Sequence, residues 1–230
     1  MDKSQQQPDL HQNIRACIPN TEICQTTLAL AWRTVSRPIF NHSLRVFLFS
    51  RWLALKEGTL DASSDDRLSL LFAACICHDL GTCEAYNGPQ RFEVEGADAA
   101  KSHLLANGIS EKDSHQVWSA IALHTSPGIA ERIDPFTRLV RLGVLTDFSP
   151  ATRERLGAGS YAAEIEEYLP RLEIEKVLAD AVVCQARGEQ TVPDRLTWPT
   201  SEKHPKGSWP GMLLRAKLEN PGHQGVNPAF

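Results

Sequence analysis

Apolar residues recur along this chain at intervals of three and four, not two. Over residues 39–56, Phe40, Leu44, Phe47, Leu48, Trp52 and Leu55 fall at helical spacing. Residues 67–77 (RLSLLFAACIC) are apolar nearly all round, which predicts a helix buried on every side, and Gly81 is placed to end it. Thr21 caps a predicted helix through TEICQTTLALAWRTV, with Pro38 as its stop. Residues 82–96 carry Asn87-Gly88-Pro89 and read as a loop. Helices are predicted over 97–106, ended by Asn107-Gly108, and over 110–124, broken at Pro127-Gly128. Asp134-Pro135 joins a capping side chain to a proline at the first helical position, and opens a helix (PFTRLVRLGVLTDF) that stops before Pro150. Further helices are expected over 161–169 and 171–187, and a short one over 212–218. With no alternating strand pattern and no repeat, the class is all-α. The expected layout is a flexible tail over 1–20, a helical core over 21–187, and a Pro/Gly/Trp-rich extension over 188–230 that packs on the core.

Composition narrows the function classes. A chain of 230 residues makes one sizeable core, and a net charge of −4 with a pI near 6.1 gives no footprint for nucleic acid or an anionic membrane. No apolar run approaches the roughly 18–20 residues of a membrane span. The N-terminus (MDKSQQQPDLHQ) has neither a secretory nor a transit pattern, so a cytoplasmic location is expected. Cys17, Cys24, Cys75, Cys77, Cys83 and Cys184 are expected as free thiols, mostly buried, since a core of this size needs no covalent staples. Trp198 and Trp209 are expected to strap over the core, with a homodimer contact or a pocket cover as alternatives.

The chemistry then rests on four positions: His42, the adjacent pair His78-Asp79, and Asp147. Each lies at an end or inner face of a predicted helix among apolar residues, where an uncompensated charge is costly. Adjacent residues differ by about 100° around a helix, so His78 and Asp79 reach one point most easily where their helix ends. Imidazole and carboxylate donors from three helices make a mixed N/O site for a divalent metal. The plainer alternative is a set of hydrogen-bonded core residues.

These residues resemble the HD-domain superfamily of metal-dependent hydrolases, whose pattern is His…His-Asp…Asp on a helical bundle. Residues 41–47 (NHSLRVF) and 77–86 (CHDLGTCEAY) are similar to the corresponding motifs of the cyanamide hydratase group. So are Arg91-Phe92-Glu93, Glu95-Gly96-Ala97 and Ala122-Leu123-His124, and the resemblance covers roughly residues 25 to 150. It implies an HD-domain helical bundle with irregular N- and C-terminal extensions, and His42, His78, Asp79 and Asp147 as metal ligands. It implies one divalent metal per chain, zinc as in those hydratases, with Fe, Mn, Co or Ni used elsewhere in the superfamily. His103 and His115 sit on charged helix faces and are expected at the surface, whereas His124 ends an apolar run near the pocket, which favours a mononuclear site.

The implied activity is hydration of a small nitrile-type substrate, cyanamide to urea as the lead, by a metal-activated hydroxide. His124 is the expected proton donor and Glu84 the alternative acid. Thr82 either orients water or satisfies backbone groups after Gly81. Arg45, one turn after His42, is expected to orient Asp79 or Glu84, with Asn41 in a similar holding role, while Tyr86 and Phe92 wall the pocket. The partner is a small molecule, with neither nucleic acid nor membrane. The alternative is an HD-type phosphohydrolase acting on a nucleotide or small phosphate ester. Its candidate cations, Arg45, Arg91, Lys101, Arg138 and Arg141, make a thin phosphate cradle. A two-iron oxygenase would need more histidines than the chain offers.

Overall fold

The longest apolar stripe becomes the longest helix, Arg37–Glu57, and it runs through the middle of the molecule. The computed structural model describes residues 8–59, 64–187 and 209–222. In chain order the helices are α1 (Gln12–Arg15), α2 (Glu22–Thr34), α3 (Arg37–Glu57), α4 (Asp65–Cys77), α5 (Phe92–Ala106) and α6 (Glu111–Leu123). They continue with α7 (Ala130–Ile133), α8 (Pro135–Phe148), α9 (Pro150–Leu156), α10 (Gly159–Tyr168), α11 (Ile174–Arg187) and α12 (Trp209–Glu219). Two three-ten turns, Leu80–Thr82 and Glu84–Tyr86, join α4 to α5, and there is no strand among the described residues. The fold is an all-α bundle, as the periodicity predicts.

Three helices place the chemistry. α3 is flanked by α4 and α8, and α6 packs across α4, α5 and α8. The α4 start is fixed by Ser64, whose side chain accepts from the Arg67 amide, with Asp65 and Asp66 in the first turn to favour the positive helix end. Every residue from Leu68 to Cys77 is buried, so α4 enters the centre of the bundle and delivers His78 and Asp79 there. Asp134 caps α8 by accepting from the Phe136 and Thr137 amides at 2.8 and 3.0 Å, with Pro135 in the first turn. Ser110 caps α6, and the helix stops one residue short of His124.

Several boundaries differ from expectation. Pro38 does not stop α2. It lies in the first turn of α3, where its missing N–H has no helical partner to lose. The stretch expected as a loop over 82–96 is partly helical: α5 begins at Phe92, and Gly96 lies inside it. There α5 and the turn after α4 meet backbone to backbone, an approach that requires glycine at position 81. A Cβ on Gly81 would lie 2.0 Å from the Phe92 carbonyl oxygen and 2.8 Å from the Gly96 nitrogen. α11 begins at Ile174, three residues late, because Leu172 and Glu173 adopt left-handed backbone (φ 53° and 58°). The short helices α7 and α9 were not legible from periodicity.

Within the stretch expected as a tail over 1–20, the described residues 8–20 include α1. Leu10 and Ile14 are buried in the core, and His11 stacks on Tyr168 with ring centroids 4.2 Å apart. The short run 212–218 is part of α12, which packs on α11 through Leu213 and Ala216. Trp198 and the Trp209 side chain lie outside the described residues. Cys17, Cys24, Cys75, Cys77 and Cys83 are free thiols, and burial pushes Cys75 and Cys77 up to about 12, which leaves them protonated and inert. No described helix is long and apolar enough to cross a membrane.

Candidate metal centre

His42 projects from the middle of α3, His78 and Asp79 stand at the end of α4, and His124 caps the end of α6. All four are essentially fully buried. Their donor atoms converge. His42 Nε2 is 3.1 Å from His78 Nε2, and Asp79 Oδ2 is 3.3 Å from His78 Nε2 and 3.6 Å from His42 Nε2. His124 Nε2 lies 3.9 Å from Asp79 Oδ1.

The outer nitrogens explain why the inner ones point at one another. His78 Nδ1 donates to the Cys75 carbonyl at 2.7 Å, and His124 Nδ1 donates to the Ile121 carbonyl at 2.6 Å. His42 Nδ1 lies 2.6 Å from Asp147 Oδ2. Each of these partners only accepts, so each ring, when neutral, carries its proton on Nδ1 and leaves Nε2 as a lone-pair donor. Carbonyls one turn back in their own helices therefore aim two of the rings, and a carboxylate from α8 aims the third.

Asp79 is the anomaly that gives the cluster meaning. Both its oxygens are buried and accept no hydrogen bond from the protein. Stranding a buried carboxylate is costly unless a cation or donor satisfies it. His42, His78 and Asp79 offer donor atoms within 4.8 Å of one another, close enough to hold one ion. That orphaned carboxylate among three lone-pair nitrogens fits a divalent metal.

The electrostatics follow from burial and these neighbours. Burial alone would raise the Asp79 carboxyl, but the charged forms of His78, then of His42 and His124, outweigh it and hold it down to about 2. Burial opposes charge on His78, yet the adjacent Asp79 raises its pKa above the ordinary value. His124 is pushed down to about 3, first by burial and then by His78. It is therefore neutral at physiological pH with its one proton committed to Ile121. In that form its Nε2 turns a lone pair toward the cluster.

Asp147 is surrounded differently from Asp79. Arg45 grips it with Nε to Oδ1 at 2.7 Å and Nη2 to Oδ2 at 2.8 Å, and both side chains are fully buried. Arg171 Nη1 adds a bond to Oδ1 at 3.1 Å, and Arg153 Nη2 stands 3.6 Å away. These cations and His42 outweigh burial and hold the Asp147 carboxyl far below the usual range. Its oxygens are saturated, and it reaches the cluster only through the His42 ring. The spacing of His42 and Arg45 is the cause, since residues three apart share a helix face and both meet α8.

The other candidates separate cleanly. Arg45 holds Asp147, not Asp79 or Glu84. Asn41 Nδ2 donates to the Pro170 carbonyl at 2.9 Å, and Arg45 Nη1 donates to the Leu169 carbonyl at 2.9 Å, so both fasten the segment carrying Arg171. Thr82 donates to the Asp79 carbonyl at 2.6 Å, which is its backbone-satisfying reading. Glu84 is exposed on its three-ten turn and does not line the pocket, and neither does half-buried Tyr86. Phe92 backs His124 with ring centroids 5.7 Å apart, behind the pocket instead of in its wall. His115 is exposed, whereas His103 is half-buried against Thr26, 3.3 Å from its hydroxyl.

The cluster opens into a cavity of about 220 Å³. One face of α8 supplies Arg141, weighed in the sequence only as a phosphate-cradle cation, together with Val144, Leu145 and Phe148, which had no assigned role. Thr125 and Ser149 add hydroxyls just beyond two helix ends, and Leu178 of α11 and Met212 of α12 close the wall. Buried Glu93 braces this edge by accepting from the Thr125 hydroxyl and from Arg91 Nη2. The contributions of Leu178 and Met212 had no sequence signal.

A family model described as HD domain matches residues 39–181, a span that holds the whole cluster and the network around Asp147. No curated protein matches the chain.

Proposed function

The chain belongs to the HD-domain family, and on that premise we propose that it is a metal-dependent hydratase adding water to a small nitrile-type substrate, with cyanamide to urea as the lead reaction. The observation that carries the metal reading is the buried Asp79 carboxylate, unpaired among three Nε2 lone pairs. His42, His78 and Asp79 would hold one divalent cation, with His124 as the fourth donor in place of Asp147. Three imidazoles and one carboxylate suit zinc, and also Fe, Co, Ni or Mn. When bound, the cation would supply Lewis acidity and make water a competent nucleophile at neutral pH.

The chain's own groups do the rest. Asp147, kept ionised by Arg45, fixes the His42 proton on Nδ1 and so keeps Nε2 free. Arg141 presents a cation at the cavity wall where negative charge develops, held there by the His124 carbonyl at 3.0 Å and by Glu131 at 3.3 Å. Thr125 and Ser149 offer hydroxyls to the polar end of a substrate.

Cation placement favours a small neutral substrate over a phosphate. Arg45 is committed to Asp147, Arg91 to Glu93, Lys101 to Glu111 and Arg138 to Glu57; of these five candidate cations only Arg141, itself paired with Glu131, is among the described residues lining the cavity. A phosphohydrolase would have to rest on that one arginine. Incubating the metal-loaded chain with cyanamide and with a nucleotide panel separates the two. Urea without phosphate release is the expected outcome, and phosphate release without urea would overturn it.

A further inference from the structure

The cavity is larger and more apolar than cyanamide needs. Its volume of about 220 Å³ exceeds several times the roughly 30 Å³ share of one water, whereas cyanamide has three heavy atoms. Away from the histidine cluster its lining is largely Val144, Leu145, Phe148, Leu178 and Met212. Such a wall gains nothing from a polar three-atom substrate and would strand water against apolar side chains.

Met212 reaches this wall from outside the span that matches the family model, residues 39–181. Its helix is anchored independently of any substrate. Leu213 packs with Phe92 and Val182 in a small apolar cluster, Ala216 is buried, and Lys217 pairs with Asp180 at 2.8 Å. Phe92 in turn backs His124, so one set of contacts fixes the distance between the metal cluster and α12.

We propose that the substrate carries a compact apolar substituent, a short alkyl or phenyl group on the nitrile carbon, and that Met212 sets the length the cavity accepts. This rests on the hydratase reading above. The reaction is R–C≡N + H2O → R–CO–NH2: the water oxygen bonds to the nitrile carbon, both water hydrogens end on nitrogen, and no redox partner is consumed. The apolar wall binds R and leaves the nitrile directed at the cluster.

The test uses the product amides, which are not turned over. Full-length zinc-loaded protein is titrated calorimetrically with urea, acetamide, propionamide, butyramide and benzamide, beside Met212→Ala and Met212→Trp. Affinity should rise about fourfold for each methylene added, the worth of one buried CH2 group. The rise should stop at a shorter chain in Met212→Trp and extend further in Met212→Ala, with circular dichroism reporting both variants folded. A series flat from urea to butyramide, or a profile identical in all three proteins, overturns the proposal while zinc binding leaves the metal reading standing. Failure of the wild-type chain to retain zinc in equilibrium dialysis removes both.

Discussion

Asp79 and Asp147 are both fully buried carboxylates within reach of His42, and their surroundings are opposite. Asp147 has two arginine donors bonded to it and a histidine on its second oxygen, whereas Asp79 accepts no hydrogen bond at all. One is a finished structural joint and the other is an open valence. Sequence spacing treats them as equivalent members of one ligand set. The difference is made by Arg45, which sits on the same face of α3 as His42 and reaches Asp147 first. A carboxylate already neutralised by a bidentate guanidinium has little to offer a metal, and it serves better by aiming an imidazole that does.

The contrast makes the two residues separable by experiment. The largest effect is expected from Asp79→Asn. It should cost more than about 100-fold in metal affinity, beyond the loss typical of outer partners. Equilibrium dialysis reads this directly. The metal-free protein should lose less stability in urea denaturation than Asp147→Asn costs, since Asp79 accepts no hydrogen bond that the substitution would remove. A large loss of metal-free stability would place Asp79 with Asp147 after all.

Asp147→Asn should show the reverse balance. Leaving Arg45 buried without its partner should cost about 3–5 kcal/mol of stability, while metal stoichiometry is retained at roughly 10–100-fold weaker affinity. The pH profile sharpens this. The folded-state pKa of Asp147 is depressed, so its contribution is present above the ordinary carboxylate value near 3.8 and is lost as pH falls below it. Acid unfolding of the wild type should therefore be steeper than that of Asp147→Asn.

Gly81→Ala tests the Asp79 side through the backbone. The added Cβ meets backbone atoms of Phe92 and Gly96, which cannot swing aside, so α5 must separate from the turn carrying Asp79. A loss of about 3 kcal/mol is expected, the upper end of ordinary overpacking, together with weaker metal binding. The smallest effect belongs to Arg171→Gln. Arg171 is partly exposed and Asp147 keeps Arg45, so about 1 kcal/mol or less should be lost in thermal denaturation, with metal affinity nearly unchanged.

Much of the bundle was legible before any coordinates. The α3 stripe, the all-round apolar α4, the Asp134-Pro135 start of α8 and the His-Asp pair at a helix end all stand where periodicity and capping put them. These are signals between residues a few positions apart. Where the reading failed, the decisive partner was distant in sequence. α5 starts early because Gly96 meets Gly81, and α11 starts late where the left-handed pair Leu172–Glu173 follows Arg171, which is bonded to Asp147. His124 lines the pocket, but neither its complete burial nor its bond to Ile121 could be read from an apolar run.

The sequence by itself therefore determined an all-α bundle and, through its motif residues, the HD-domain family, because helix period, caps and motif residues act locally. Tertiary structure alone decided that Arg45 bonds Asp147 while Asp79 accepts no hydrogen bond, and that α12 closes the cavity with Met212. Those outcomes depend on how segments some hundred residues apart cross. At such crossings, a donor arriving from another helix settles whether a buried carboxylate is satisfied or left open.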